Sequence, residues 1–351
     1  MNQKFSDSVL SWYESNGRKN LPWKVSDPYK IWISEIMLQQ TQVKTVIPYY
    51  LKFIKKYPDI KSLSEAKLDS LMFLWSGLGY YRRVKNIFLS AQIISKKYKN
   101  IFPRRYDEIL SLPGIGRTTA SAIITFSGFS NMAILDGNVK RILMRFYNIK
   151  KHESVSKFDN ELWKKSVSVT PRKNTANFNQ GMMDIGSLIC TRNNPSCSLC
   201  PVKNQGCLYK HDEVKQTLNK KDIQNVNMSL LVLINSKKEI YLEKIDKGKL
   251  WEGLYSSPFF MKTDDKEEWE NNKKFYNRKP NHVLSIGHRV TNKKIIIDTE
   301  FYFLKNDKKV SLSTKNWYNL ADIKVGIPKY QQKILDIYRS EYENSNVQKI
   351  E

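Results

Sequence analysis

The sequence predicts a multidomain protein, all-α over its N-terminal two thirds and closed by a small α+β domain. Three observations carry this. Apolar residues recur at helical spacing from Phe5 to Leu188, with no strand alternation before about residue 225. A polar stretch without hydrophobic period, Lys210 to Gln224, then reads as a linker. Beyond it the composition shifts to strand-like runs. At 351 residues and 40% hydrophobic, the chain has material for more than one packed core.

In chain order, Phe5, Val9, Leu10, Trp12 and Tyr13 outline a short amphipathic helix ended by Asn16-Gly17. Asp27-Pro28 reads as N-cap and first residue of a second helix, PYKIWISEIMLQQTQVKTV. Within it Glu35 has Ile31 at i−4, Trp32 at i−3 and Leu38 at i+3, so its carboxyl rises from an apolar stripe. Burial disfavours the charged form and raises the pKa, which suits a general acid. A Glu paired with a neighbouring cation, or on a wetter face, is the competing reading.

Further helices are expected over Tyr49–Lys56, Leu63–Leu74, Val84–Lys97 and Tyr106–Leu112. Between two of them lies Trp75-Ser76-Gly77-Leu78-Gly79-Tyr80-Tyr81-Arg82-Arg83, a Gly-rich turn with two aromatics and two guanidiniums. That combination suits insertion beside an unstacked base, or else simply covers a core.

Leu112-Pro113-Gly114-Ile115-Gly116 follows, two glycines permitting a tight turn with exposed N–H groups, and then a small-residue helix from Thr118 to Thr125. Such a hairpin can hold a phosphate. Twenty residues past Gly116, Asp136 stands before Gly137-Asn138 and an amphipathic run of Val139, Ile142, Leu143 and Phe146. As an N-cap its carboxylate is held ionised by N–H groups and the helix dipole, so we expect one carboxyl pushed up and the other down, the pattern of an acid and an electrostatic stabiliser.

A helical pattern resumes from Phe158 to Leu188 and ends at Cys190, Cys197, Cys200 and Cys207, which hold all four cysteines of the chain. Clustering of this kind argues for metal ligation over disulfides in a reducing compartment. Soft sulfur selects zinc or an iron–sulfur cluster; a single C-x2-C pair favours the 4Fe-4S cluster, with the structural role of fixing a basic loop (Arg192, Lys203) on DNA. After the linker, Met228–Ile234 is an apolar run, Glu239–Lys244 an alternating strand, Lys294–Leu304 a third strand, and Pro328 opens a closing helix through Tyr338.

Charge narrows the partners. Fifty-nine Lys and Arg against 34 Asp and Glu give +25, an excess suited to a polyanion, although a Lys-rich composition also arises from genomic nucleotide bias. No run of 18 apolar residues and no apolar N-terminal segment occur, so a cytoplasmic, nucleoid-associated protein with no membrane contact is expected.

The segments LPWK, PYKIWISEIMLQQTQV, WSGLGYYRR, LPGIGRTTAS, ILDGNVKR, FNQGMMDIG and the cysteine cluster together resemble the MutY-type adenine DNA glycosylases of the endonuclease III helix-hairpin-helix superfamily. The resemblance implies a six-helix barrel over 24–130, an iron–sulfur helical domain from 1–23 and 131–208, a linker over 209–225 and a Nudix-like lesion-recognition domain over 226–345. It implies a monomer acting on double-stranded DNA with adenine opposite 8-oxoguanine or guanine, and one 4Fe-4S cluster held by the four cysteines. By motif position Glu35 corresponds to the general acid, Asp136 to the stabilising carboxylate and Asn138 to its supporting residue. Gln40, Tyr80, Gly114, Gly116, Thr118 and His288 fall at DNA- or lesion-contacting positions.

Bifunctional relatives carry a lysine where this chain has Thr118, and a hydroxyl cannot form the imine that strand cleavage needs. A monofunctional glycosylase is therefore expected. Two departures stand out: the last cysteine interval has six residues rather than five, and Ile286-Gly287-His288 replaces a Phe-Ser-His triplet, which predicts weaker discrimination of 8-oxoguanine from guanine. Lys249–Leu254 looks Nudix-like, yet no Glu-rich box follows, so nucleotide hydrolysis is not expected. The competing functions are an endonuclease III-like glycosylase for oxidised pyrimidines and a non-catalytic mismatch-binding protein.

Overall fold

The computed structural model describes residues 3–150, 154–210, 223–261, 279–290, 292–304 and 314–343. Most of the expected linker, residues 211–222, lies outside them, as does the end of the expected C-terminal domain at 344–345. Two compact units emerge, one of residues 1–66 and 82–217, the other of residues 67–81 and 218–351.

The first unit is helical. Its helices are α1 (Gln3–Asn16), α2 (Pro28–Leu38), α3 (Val43–Lys56) and α4 (Ile60–Ser64); α5 (Leu68–Trp75) belongs to the second unit. Then follow α6 (Arg82–Tyr98), α7 (Tyr106–Leu110), α8 (Arg117–Phe126), α9 (Gly137–Phe146), α10 (Val155–Val169) and α11 (Thr175–Leu188). Asp27 caps α2 as expected, accepting from the N–H groups of Tyr29 and Lys30, with Pro28 in the first turn. One core gathers Phe5 and Val9 of α1, Val139, Leu143 and Phe146 of α9, and Phe178, Met182 and Ile185 of α11. It fixes the helix that begins at Asp136 against the helix that leads into the cysteines.

Three expected helices differ in extent. α2 stops at Leu38 instead of running through Val46, because Gln40 takes a left-handed backbone (φ 57°) that no helix continues through. The single helix expected over Leu63–Leu74 is two, α4 opened by an Asp59/Ser62 capping box and α5 restarting after Lys67. The pattern from Phe158 to Leu188 is also two helices, since Pro171 cannot continue α10 and Asn174 turns left-handed (φ 56°) before α11.

The second unit is built on a mixed sheet in the order β6-β7-β1-β2-β8, with β5 also pairing with β1. Its strands are β1 (Gln224–Asn235), β2 (Glu239–Tyr241), β5 (Phe259–Met261), β6 (His282–Val290), β7 (Lys293–Leu304) and β8 (Trp317–Asn319). A separate ribbon pairs β3 (Glu243–Lys244) with β4 (Tyr255–Ser256). β1 and β7 run parallel from Gln224↔Lys293 to Asn235↔Leu304, and β6 pairs antiparallel with β7. α12 (Lys329–Tyr338) packs Tyr330, Ile334 and Leu335 into the core formed by β1 and β7.

α5 joins this unit through specific contacts. Asp69 accepts from Lys244 Nζ at 2.6 Å and from the Tyr255 hydroxyl at 3.2 Å, and Ser76 Oγ donates to the Ile327 carbonyl at 2.7 Å. A Cβ on Gly326 would lie 2.8 Å from the Met72 carbonyl oxygen, so the two backbones meet because position 326 has no side chain. Residues 67–81 pack with the sheet unit. Among the described residues no helix is long and apolar enough to cross a membrane.

Candidate active site

Glu35 and Asp136, 101 positions apart in the sequence, line one cavity of about 820 Å³ in the helical unit. Gln40, Asn138, Arg18, Trp23, Gln180, Met183 and Arg141 complete much of its wall. Glu35 also borders a second cavity of about 330 Å³, which shares Trp23 and Gln180 with the first. Its carboxyl is enclosed by α2 and these walls, and burial, followed by the nearby Asp136 charge, pushes it up to about 8. Among the described residues no cation or hydrogen-bond donor engages this carboxyl, so the ion-paired reading of Glu35 fails.

Asp136 caps α9. Its Oδ1 accepts from the backbone N–H groups of Asn138 (3.0 Å) and Val139 (2.7 Å), and its Oδ2 accepts from Asn138 Nδ2 at 3.0 Å. The expectation that its pKa is pushed down is corrected. Burial raises it, and the three donors and Arg141 only oppose that rise. The order within the pair survives: Asp136 has donors that hold a negative charge and Glu35 has none, so the proton resides on Glu35.

Distant elements hold Asn138 in place. Arg141 Nη2 donates to Asn138 Oδ1 at 2.8 Å, and Arg141 Nε to the Cys190 carbonyl at 2.7 Å. Gly186 of α11 lies against the asparagine so closely that a Cβ there would sit 2.5 Å from Asn138 Cβ. The hairpin between α7 and α8 reaches the site through Thr118, whose hydroxyl donates to the Leu135 carbonyl at 3.0 Å, one residue before Asp136.

In that hairpin Gly114 has φ 79° and a virtual Cβ 2.6 Å from Asn86 Nδ2, so both conformation and space require glycine. Gly116, the N-cap of α8, is exposed, carries no side-chain cap, and a Cβ there would meet nothing within 4 Å. Arg18, Gln180 and Asp184 lay inside or beside quoted motifs without an assigned role. Arg18 Nε and backbone N–H both donate to the buried Asp184 carboxylate, at 2.9 and 2.8 Å, bracing the cavity wall. Burial of Asp184 at helical spacing beside Met183 was the signal available for it.

The other sequence-derived positions lie elsewhere. Tyr80 is 46% exposed at φ 51°, on the turn following α5 in the second unit. His288 sits on β6, its ring 6.1 Å from Trp251 and 5.8 Å from Tyr330; burial, then Lys329 and Lys333, lower its pKa, so the imidazole is neutral at physiological pH. Arg83, grouped with Arg82 as a basic turn residue, is buried instead.

Cys190, Cys197, Cys200 and Cys207 line a cavity of about 150 Å³ with Arg145 and Tyr209, and none forms a disulfide. The six-residue last interval closes through Gly206 at φ 100°, which returns Cys207 to the other three. Burial pushes the Cys200 thiol up to about 11, and the neighbouring thiols add to it. Burial likewise raises Cys197 and Cys207, and thiols raised in this way ionise together only beside a cationic centre that takes up their charge. Arg145 Nη1 lies 3.2 Å from Cys190 Sγ and donates to the Thr191 carbonyl at 2.7 Å, tying the loop to α9.

A helical fold with a hairpin before a capped, half-buried carboxylate defines a class. Residues 33–166 match the family described as HhH-GPD superfamily base excision DNA repair protein. The helical part is similar to a thermostable thymine-DNA glycosylase (TM-score 0.55, 26% identity, 60% of this chain and 97% of that one). An endonuclease III–DNA complex shares the fold alone (TM-score 0.51, 21% identity, 59% of this chain and 95% of that one). The chain is 42% identical to the adenine DNA glycosylase of Buchnera aphidicola subsp. Acyrthosiphon pisum, across 95% of this chain and 97% of that protein. The human adenine DNA glycosylase is 36% identical over 57% of this chain and 38% of its own length. The chain belongs to the adenine DNA glycosylase family.

Proposed function

We propose that this protein is a monofunctional glycosylase that hydrolyses the N-glycosidic bond of adenine opposite 8-oxoguanine, or opposite guanine, in double-stranded DNA. The carrying observation is the pair of unequal carboxyls in one cavity, Glu35 raised to about 8 without donors and Asp136 held by three. Extruding the adenine costs a few kcal/mol of stacking and pairing. Glu35 then gives its proton to N7, and the C1′–N9 bond breaks with its electron pair passing to the base. Positive charge develops on the sugar at C1′ and O4′, where the Asp136 carboxylate stabilises it. Water adds to C1′, its proton returns to the Glu35 carboxylate, and adenine and an abasic site result.

Asn138 orients Asp136 through the Nδ2 hydrogen bond. Thr118 offers no amine at the hairpin, which supports hydrolysis without strand cleavage. The open N–H groups at Gly116 suit a backbone phosphate, Gln40 and Tyr80 the base stack around the flipped nucleotide, and neutral His288 a hydrogen bond to the opposite base. We assign the sheet unit as a Nudix-like recognition domain on this basis. The four cysteines would hold one 4Fe-4S cluster, whose contribution is a cross-link that fixes residues 190–207 against α9; the excision step itself transfers no electron.

Single-turnover release of adenine from duplexes with adenine opposite 8-oxoguanine or guanine tests the assignment. Wild-type protein is expected to release free adenine and leave the strand uncut, and Glu35→Gln to bind the duplex without excision. Unchanged turnover in Glu35→Gln overturns the acid assignment.

A further inference from the structure

Arg83 stands beside Arg82 at the start of α6, after a turn whose sequence suits a polyanion, yet it points into the protein with 7% of its surface exposed. Its Nη1 donates to the carbonyls of Ile36 (3.0 Å), Met37 (2.7 Å) and Gln39 (2.7 Å), and its Nη2 to Thr41 Oγ1 at 3.2 Å. These carbonyls end α2, where a helix leaves acceptors unsatisfied and its dipole is negative. A buried guanidinium meets both needs at once.

The next consequence concerns Gln40. Its φ of 57° is a conformation that non-glycine residues keep only where the surroundings over-determine it. The residues on either side of it, Gln39 and Thr41, are the two that Arg83 grips beyond the helix end. Gln40 itself is exposed and lines the cavity of Glu35 and Asp136. We propose that Arg83 is a positioning residue for duplex binding: its fork pins the Gln39–Thr41 turn and so presents the Gln40 amide at the cavity mouth. The proposal rests on the reading of Gln40 as a duplex contact. Lysine cannot replace it, because one ammonium on a flexible stem does not span three carbonyls and a hydroxyl in a fixed plane.

The test is a double-mutant cycle of Arg83→Lys and Gln40→Ala. Single-turnover excision from a duplex with adenine opposite 8-oxoguanine is followed against enzyme concentration, with thermal melting alongside. Arg83→Lys is expected to raise the half-saturating concentration roughly tenfold, the scale of one lost charged hydrogen bond, while the rate constant at saturation is kept. Enzyme concentration is counted as active sites, by titration against excess duplex, so that a misfolded fraction drops out; an unchanged half-saturation on that scale overturns the proposal. The double variant is expected to bind no worse than Gln40→Ala alone. Losses that multiply in the double variant, with Gln40→Ala itself impaired, refute Arg83's action through Gln40. Unimpaired binding by Gln40→Ala instead refutes the duplex-contact reading beneath it.

Discussion

Glu35 and Asp136 carry the same functional group, and their neighbours make them different acids. Glu35 is removed from water by burial and has an anionic neighbour; Asp136 has backbone and amide N–H groups. With a folded value of about 8 above an unfolded value of 4.5, Glu35 stabilises the fold fully below pH 4.5 and progressively less as pH rises through 8. Two measurable limbs follow from that sign. Single-turnover excision should be flat on this limb below about pH 7 and fall above pH 8. Thermal melting of Glu35→Gln should match wild type near pH 4.5 and exceed it at pH 9; equal melting at both pH values would sink the buried-acid assignment. Gly186→Ala places a methyl group 2.5 Å from Asn138 Cβ, and overpacking of this kind costs about 1–3 kcal/mol. Excision should fall more than DNA binding does, because the displaced Asn138 holds Asp136. Helical spacing offered a raised Glu35 as one of two readings, and only the enclosing cavity separates them. Asp136's burial was not, since Gly186 and Arg141, which close over Asn138, lie on turns of two helices that the local pattern cannot bring together.

At the level of elements, the ends of helices were the least legible feature. The carbonyls at the end of α2 are met by Arg83, which arrives on α6 after three intervening helices. By contrast Asp27-Pro28 announced the start of α2 because a cap is a local device. β6 was hidden for a different reason: Ser285, Gly287 and Arg289 form its exposed face, and glycine weakens any strand signal. That face makes a test possible. A Cβ at Gly287 meets nothing within 4 Å, so Gly287→Ser should change stability by no more than about 0.5 kcal/mol. One added hydrogen bond, about 1 kcal/mol, would raise preference for 8-oxoguanine over guanine by about fivefold. Competition between the two duplexes measures this, and an unchanged ratio would show that position 287 does not face the opposite base.

Across the whole molecule, the +25 charge was legible as a count and silent about geometry. If phosphates are its target, affinity for duplex DNA must fall steeply with salt: a site neutralising about six phosphates loses roughly a thousandfold between 50 and 200 mM. Anisotropy titrations across that range would expose a weak slope as evidence for binding by other forces. The division into helical and sheet regions was readable from the change in hydrophobic period near residue 225. The membership of residues 67–81 was not, because Asp69 and Ser76 find their partners at 244, 255 and 327. The parallel pairing of β1 with β7 sets an order of assembly. Gln224 must wait for Lys293, and Asn235 for Leu304, before the centre of the sheet exists. During synthesis the helices of the first unit can therefore settle while β1 still shows an apolar, unpartnered edge, and a ribosome stalled between those two strands would leave an aggregation-prone nascent chain.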